Sequence, residues 1–94
     1  MQTDGPTGFQ LRVVPSAARS LARLPESVAA AVIEFLTGPL LHESKRVGKP
    51  LVRKLAGYWS ARRGAYRVVY ALDEPNALVL VVRIEHRADF YRPL

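Results

Sequence analysis

The chain has 94 residues, 49% of them hydrophobic and none of them cysteine, which fits one small domain and excludes a disulfide framework, thiolate catalysis and cysteine-based metal sites. Lys and Arg number 14 against 8 Asp and Glu, and the resulting charge of +6 favours nucleic acid, anionic lipid or an acidic protein as partner. A core that closes over roughly 60% of the unfolded surface has little room for a large cofactor; with His42 and His86 far apart, neither metal nor cofactor is expected.

Residues 1–8 hold Gly5, Pro6 and Gly8 and little to bury, so they read as a flexible arm before a single domain over 9–94. The start, MQTDGPTGFQ, shows no basic region followed by an apolar stretch, and no run approaches the ~18 apolar residues of a membrane span. A cytoplasmic protein without membrane attachment is expected.

The first strand is predicted over Phe9–Val14, with Phe9, Leu11 and Val13 on one face. Pro15-Ser16 stops it, and Ser16 is placed to cap a short helix, Ala17–Leu24. Pro25 suits the first turn of a second helix, in which Val28, Val32, Phe35, Leu36 and Leu40 form a core-facing stripe until Gly38-Pro39 breaks it. His42–Pro50 reads as a basic loop, Leu51–Leu55 as a short extended piece, and Trp59–Arg62 as a strand in which Trp59 packs into the core. Arg63-Gly64 marks a turn. Two longer strands follow, Ala65–Leu72 and Ala77–Glu85, joined by Asp73–Asn76. His86–Leu94 is a short tail able to add an edge strand before Pro93. Helices that precede a run of hairpins indicate α+β, with the helix pair covering one face of the sheet and the other face left to solvent and to basic residues.

The positive charge is not spread evenly. From Ser44 through Leu72 there is no acid, while Lys45, Arg46, Lys49, Arg53, Lys54, Arg62, Arg63 and Arg67 all fall there. That segregation predicts an anion-binding face; should the anion be a nucleic acid, Lys45, Arg46 and Lys49 would meet its backbone and Tyr58 would stack on a base.

No nucleophile elbow, P-loop or zinc-protease motif is present. The remaining inventory of Arg, Lys, Tyr and His can still cleave RNA, because RNA supplies its own 2′-hydroxyl nucleophile. The protein must then orient the sugar, move protons and neutralise charge on the phosphate, a task suited to the planar fork of arginine.

Gly48-Lys49-Pro50-Leu51, Leu55-x-Gly57, the block Arg62-Arg63-Gly64-Ala65-Tyr66-Arg67-Val68-Val69-Tyr70, and His86-Arg87-x-x-Phe90-Tyr91-Arg92 together resemble the RelE/ParE toxin superfamily, over residues 9–92. The resemblance implies a small twisted, mainly antiparallel sheet with two N-terminal helices on one face. It further implies a toxin that cuts mRNA in the ribosomal decoding site, without metal, and that a cognate antitoxin silences, operator DNA being reached only through that antitoxin. Arg67 matches the family's catalytic arginine, Arg87 its second arginine, and Tyr91 the C-terminal tyrosine that orients or activates the 2′-hydroxyl or stacks on the base. Two lysines of the family's best-studied type are replaced here by Tyr58 and Ser60, so proton transfer passes to Lys54, His86 or Tyr91. His86 carries the side-chain type most often used for general acid–base transfer. A ParE-like gyrase poison of the same fold, or a non-catalytic RNA-binding or corepressor module, are the alternatives; the trio of Arg67, Arg87 and Tyr91 argues against the former.

The mechanism makes a demand on register. Arg67 and Arg87 can serve one phosphate only if they emerge on one face, which needs opposed residues with an even sum, such as Val69 opposite Val81. Arg83 would then lie near Arg67, with Glu85 as partner. A four-residue loop gives an odd sum, so an odd loop or a bulge near the turn is predicted.

Overall fold

The computed structural model describes residues 9–86. The expected arm, 1–8, and the tail from Arg87 onward, including Tyr91, lie outside the described residues.

The order is β1 (Gln10–Val13), α1 (Pro15–Ala22), α2 (Glu26–Thr37), α3 (Pro39–His42), β2 (Lys49–Pro50), a 3-10 turn (Arg53–Leu55), β3 (Tyr58–Arg63), β4 (Tyr66–Asp73) and β5 (Leu78–His86). The five strands form one sheet in the order β1-β5-β4-β3-β2. β2 to β5 make an antiparallel meander, and β1 joins the free edge of β5 in parallel. This is the expected α+β architecture with a mainly antiparallel sheet.

Helices cover one sheet face only. Val32, Phe35 and Leu36 of α2, Leu40 of α3 and Ala17 of α1 share a core with Ala61, Tyr66, Val68, Tyr70, Val79, Val81 and Ile84 of the sheet. Fully burying each of the larger aliphatic side chains stabilises the fold by about 1.5–3 kcal/mol before entropy is counted. Trp59 packs against this core and stacks on Tyr70, ring centroids 6.4 Å apart, as its strand position predicts.

Several boundaries move. Helix α1 starts at Pro15, where the missing N–H costs nothing, so Ser16 lies inside the first turn and Val14 occupies the cap position without a side-chain bond. Pro25 is the cap residue of α2 rather than its first helical residue. The break at Gly38 holds, but Pro39 initiates a further short helix that carries the fully buried Leu40.

The expected extended piece Leu51–Leu55 is not a strand. Ladder pairing is confined to Lys49 and Pro50, inside the expected loop, and one more bond from the Leu51 N–H to the Tyr58 carbonyl. Arg53 then takes a left-handed φ of 61° and the chain closes a 3-10 turn, leaving Val52 and Leu55 exposed. The β3–β4 turn consists of Gly64 and Ala65, one residue later than expected, with Gly64 at φ 50° supplying the left-handed position. Ala77, at φ 51°, belongs to the β4–β5 loop, and β5 extends through His86.

The β4–β5 register positions the functional face. Near the turn Asp73 opposes Leu78 and Tyr70 opposes Val81; beyond a bulge at Val69/Tyr70, Val69 opposes Arg83 and Arg67 opposes Glu85. The extra residue is Val82. The bulge therefore exists, in mid-strand rather than near the turn, and Val69 meets Arg83 instead of Val81. Its effect is to switch which residues of β5 face the helices: Val79 and Val81 are buried before it, Ile84 after it. An unbroken alternation would have pointed Arg83 and Glu85 into the core.

Candidate functional site

Alternation along β3, β4 and β5 places Tyr58, Ser60, Arg62, Arg67, Val69, Arg83 and Glu85 on the face away from the helices. The segment between β2 and β3 curls over this face, and a cleft of about 390 Å³ forms beneath it. Its floor is Ser60, Arg67 and Val69. Val82, Arg83 and Glu85 make one wall, and Leu51, Leu55 and Tyr58 the other.

Arg67 is the central cation. Its Nε donates to Glu85 Oε1 at 2.8 Å, and its Nη2 donates to the same oxygen. Arg83 Nη1 stands 3.4 Å from Glu85 Oε2. The Arg67 and Glu85 side chains are only 32% and 20% exposed, which makes this a part-sheltered pair rather than a surface one. Arg62 lies directly opposite Arg67 on β3 and adds charge to the same face, as does exposed Lys49 opposite Ser60. The site thus joins an arginine group suited to a phosphate with an apolar wall suited to a base.

The other sequence candidates are distributed differently. Tyr58, 37% exposed, stands at the cleft rim, where stacking is geometrically open to it. Arg53 and Lys54 sit in the 3-10 turn next to the cleft-lining Leu55. Arg63 is on the helix side, its guanidinium 4.7 Å from the centre of the Phe35 ring. Lys45 pairs with Glu74 at 2.6 Å, and Arg46 approaches Glu43 at 3.8 Å. Glu74 follows the far end of β4 from Arg67, which sets Lys45 away from the cleft. His86 opposes Tyr66, which puts it in phase with the helix-facing residues and not with Arg67. Arg87 and Tyr91 lie outside the described residues. Among the described residues no group of three His, Cys, Asp or Glu could hold a metal ion, and no helix is long and apolar enough to cross a membrane.

Glu85 is the partner of the Arg67 and Arg83 strip, as the sequence predicts, and the bulge makes it the carboxylate that both arginines meet. The signal was present in the alternation Arg83-x-Glu85, legible only once the bulge fixes the phase.

The family model for the ParE toxin of the type II toxin–antitoxin system parDE matches residues 11–91. Toxin RelG of Mycobacterium tuberculosis is 49% identical over 84 residues, covering 89% of this chain and 97% of that one. The chain belongs to the RelE/ParE family of toxins of toxin–antitoxin systems. Toxin RelE of the same organism is 48% identical over 92 residues, covering 98% of this toxin and 93% of its own length. The crystal structure of the toxin–antitoxin complex RelBE2 from M. tuberculosis superposes with a TM-score of 0.83 at 46% identity, over 85% of this toxin and 99% of that chain. The isolated E. coli RelE toxin, 20% identical with a TM-score of 0.66 over 83% of each chain, shares the fold.

Proposed function

We propose that this toxin is a ribosome-dependent endoribonuclease that stops translation by cutting mRNA in the ribosomal A site. The observation that carries the reading is Arg67, held on the floor of an open cleft with Arg62 and Arg83 beside it and an apolar wall opposite. In this reading the 2′-oxygen of the substrate attacks the adjacent phosphorus in line, the bond to the 5′-oxygen breaks, and a 2′,3′-cyclic phosphate and a 5′-hydroxyl result. Arg67 stabilises the charge gathering on the non-bridging oxygens. Arg87 and Tyr91 assist by their place in the motif, Arg87 on the phosphate and Tyr91 at the 2′-hydroxyl. Proton transfer falls to Tyr91 or to Lys54, which adjoins the cleft; His86, the third candidate, pairs with Tyr66 in the phase of the opposite face. Lys45, Arg46, Lys49 and Arg53 hold ribosomal RNA backbone, a sequence-independent task.

The proposed protein partner is a cognate antitoxin, acidic and folding over the basic face as it binds. The RelBE2 complex, whose toxin is 46% identical, supports that assignment.

Inducing the toxin in a bacterium and mapping mRNA 5′ ends tests the reading: cuts inside translated frames and none in untranslated RNA are expected. Double-strand DNA breaks with intact mRNA would favour a gyrase poison instead, a second reading supported by the ParE description of the matching family and by Tyr58 and Ser60 in place of lysines. Neither outcome, with RNA bound but uncut, would leave a corepressor module.

A further inference from the structure

A guanidinium offers an oxyanion two edges for a forked contact, and the Nε/Nη2 edge of Arg67 is already engaged. Both of its donors point at Glu85 Oε1, while Arg83 faces Oε2 of the same carboxylate. Glu85 reaches this position only because the bulge at Val82 turns it out of the core phase. It is the one carboxylate lining the cleft among the described residues. A phosphodiester approaching Arg67 along that edge therefore meets another anion there, and binding becomes an exchange of carboxylate for phosphate rather than the filling of an open cation.

We propose that Glu85 is an intramolecular competitor for the substrate phosphate, a gate that keeps Arg67 from binding free RNA. The proposal rests on the reading of Arg67 as the phosphate-binding residue. The pair is part-sheltered, so screening by salt weakens it less than a surface pair, and separating it leaves two incompletely solvated charges. A bare strand offers the exchange little surplus. A strand held in place by other contacts has that surplus, because its phosphate is delivered at high effective concentration. Charge-assisted hydrogen bonds of comparable strength on both sides make such an exchange nearly balanced, which is the condition for a gate.

The test is binding of a single-stranded oligodeoxynucleotide, which lacks the 2′-hydroxyl and cannot be cut, to the full chain at low salt. Glu85→Gln keeps the shape and removes the charge; it is expected to tighten binding about tenfold, the value of one lost charge-assisted contact near 1.4 kcal/mol. Glu26→Gln, at the start of α2 on the helix layer, removes the same charge elsewhere and is expected to change affinity no more than about twofold, as weak long-range screening allows. Arg67→Ala in the Glu85→Gln background is expected to cancel the gain. Equal effects of Glu85→Gln and Glu26→Gln, or a gain that survives the loss of Arg67, would overturn the proposal. So would failure of both wild type and Glu85→Gln to bind. Should Glu85→Gln not fold, the wild type suffices: titrated with the oligonucleotide, the Glu85 carboxyl carbon and Arg67 Nε–H signals should move together in NMR spectra, and a Glu85 signal that stays fixed while that of Arg67 saturates refutes exchange. None of these readouts uses cleavage. Intact mRNA on induction would sink the nuclease reading and leave the gate standing, whereas the opposite pattern would spare the nuclease and remove the gate.

Discussion

Two residues concentrate what this fold does with single side chains, Arg67 in the cleft and Tyr70 directly behind the sheet. Arg67 was legible in the sequence through the Tyr-Arg-Val-Val-Tyr block, and the structure sets it on the open face because Tyr66, Val68 and Tyr70 take the alternate, buried positions. If the toxin cuts mRNA as proposed, Arg67→Ala is expected to keep the fold and lower the rate of cleavage by about 10²-fold, the cost of losing one preorganised donor near 3 kcal/mol. Arg67→Lys should recover only part of it, since a point charge cannot make the fork. Growth arrest at matched protein level, read beside thermal unfolding, checks both; an alanine variant as toxic as wild type removes Arg67 from the mechanism. Tyr70 serves structure instead. Its ring is fully buried and its hydroxyl donates to the Ser44 carbonyl at 2.6 Å, and burial pushes its pKa up to about 12. The unfolded phenol ionises near pH 10 while the folded one holds its proton, so stability is complete below about pH 10 and declines as pH rises toward the folded value. Urea midpoints measured between those limits should fall more steeply in wild type than in Tyr70→Phe, which lacks the group. At neutral pH that variant should lose about 1 kcal/mol from the hydrogen bond.

Periodicity reveals elements where one residue type repeats and hides them where a single backbone event decides. The α2 stripe and the two long strands follow from their apolar spacing. The 3-10 turn at Arg53–Leu55 was hidden, because Leu51-Val52 followed by Leu55 looks extended while the left-handed φ of Arg53 leaves no mark in a non-glycine residue. The bulge was required by the mechanism, yet its position was not readable, since Val79 through Val82 offer apolar side chains in either phase. Deleting Val82 tests how much depends on it. Without the extra residue Arg83 follows Val81 directly, and the alternation runs unbroken with Val79, Val81 and Ile84 inward and Arg83 and Glu85 outward; the expected result is a folded protein whose β5 pairs with β4 without a bulge. A deletion variant that fails to fold would show that the bulge does more than set the phase of Arg83 and Glu85. Gly48 marks a second such event. A β-carbon there would lie 2.2 Å from the Tyr70 hydroxyl and 2.9 Å from the Ser60 carbonyl. Gly48→Ala must push the β2 edge away, at an expected cost of about 1–3 kcal/mol in urea unfolding; Gly48→Ala combined with Tyr70→Phe relieves the clash with the hydroxyl and should recover part of that cost.

For the whole molecule, the net charge of +6 is distributed in a way that the sequence showed in outline and the fold refines. The acid-free stretch from Ser44 to Leu72 does not become one continuous basic surface. Arg63 crosses to the helix side over Phe35, and Lys45 is matched by Glu74 at the β4–β5 turn, while Lys49, Arg62, Arg67 and Arg83 stay on the open face. Sequence could reveal the imbalance but not the sidedness, which depends on hairpin register. If the open face meets RNA through phosphates, ribosome binding must release counterions, and log affinity should fall linearly with log salt at a slope of about 0.7 per contact on single strands. The four cations of this face should contribute about 3 to that slope between roughly 50 and 200 mM salt. Replacing Arg62 by Gln should lower it by about 0.7, and replacing Arg63, which faces the helices, should leave it nearly unchanged. Ribosome binding that is indifferent to salt across that range, or an Arg63 variant that alters the slope as much as an Arg62 variant, would mean that the open sheet face is not the surface that meets RNA.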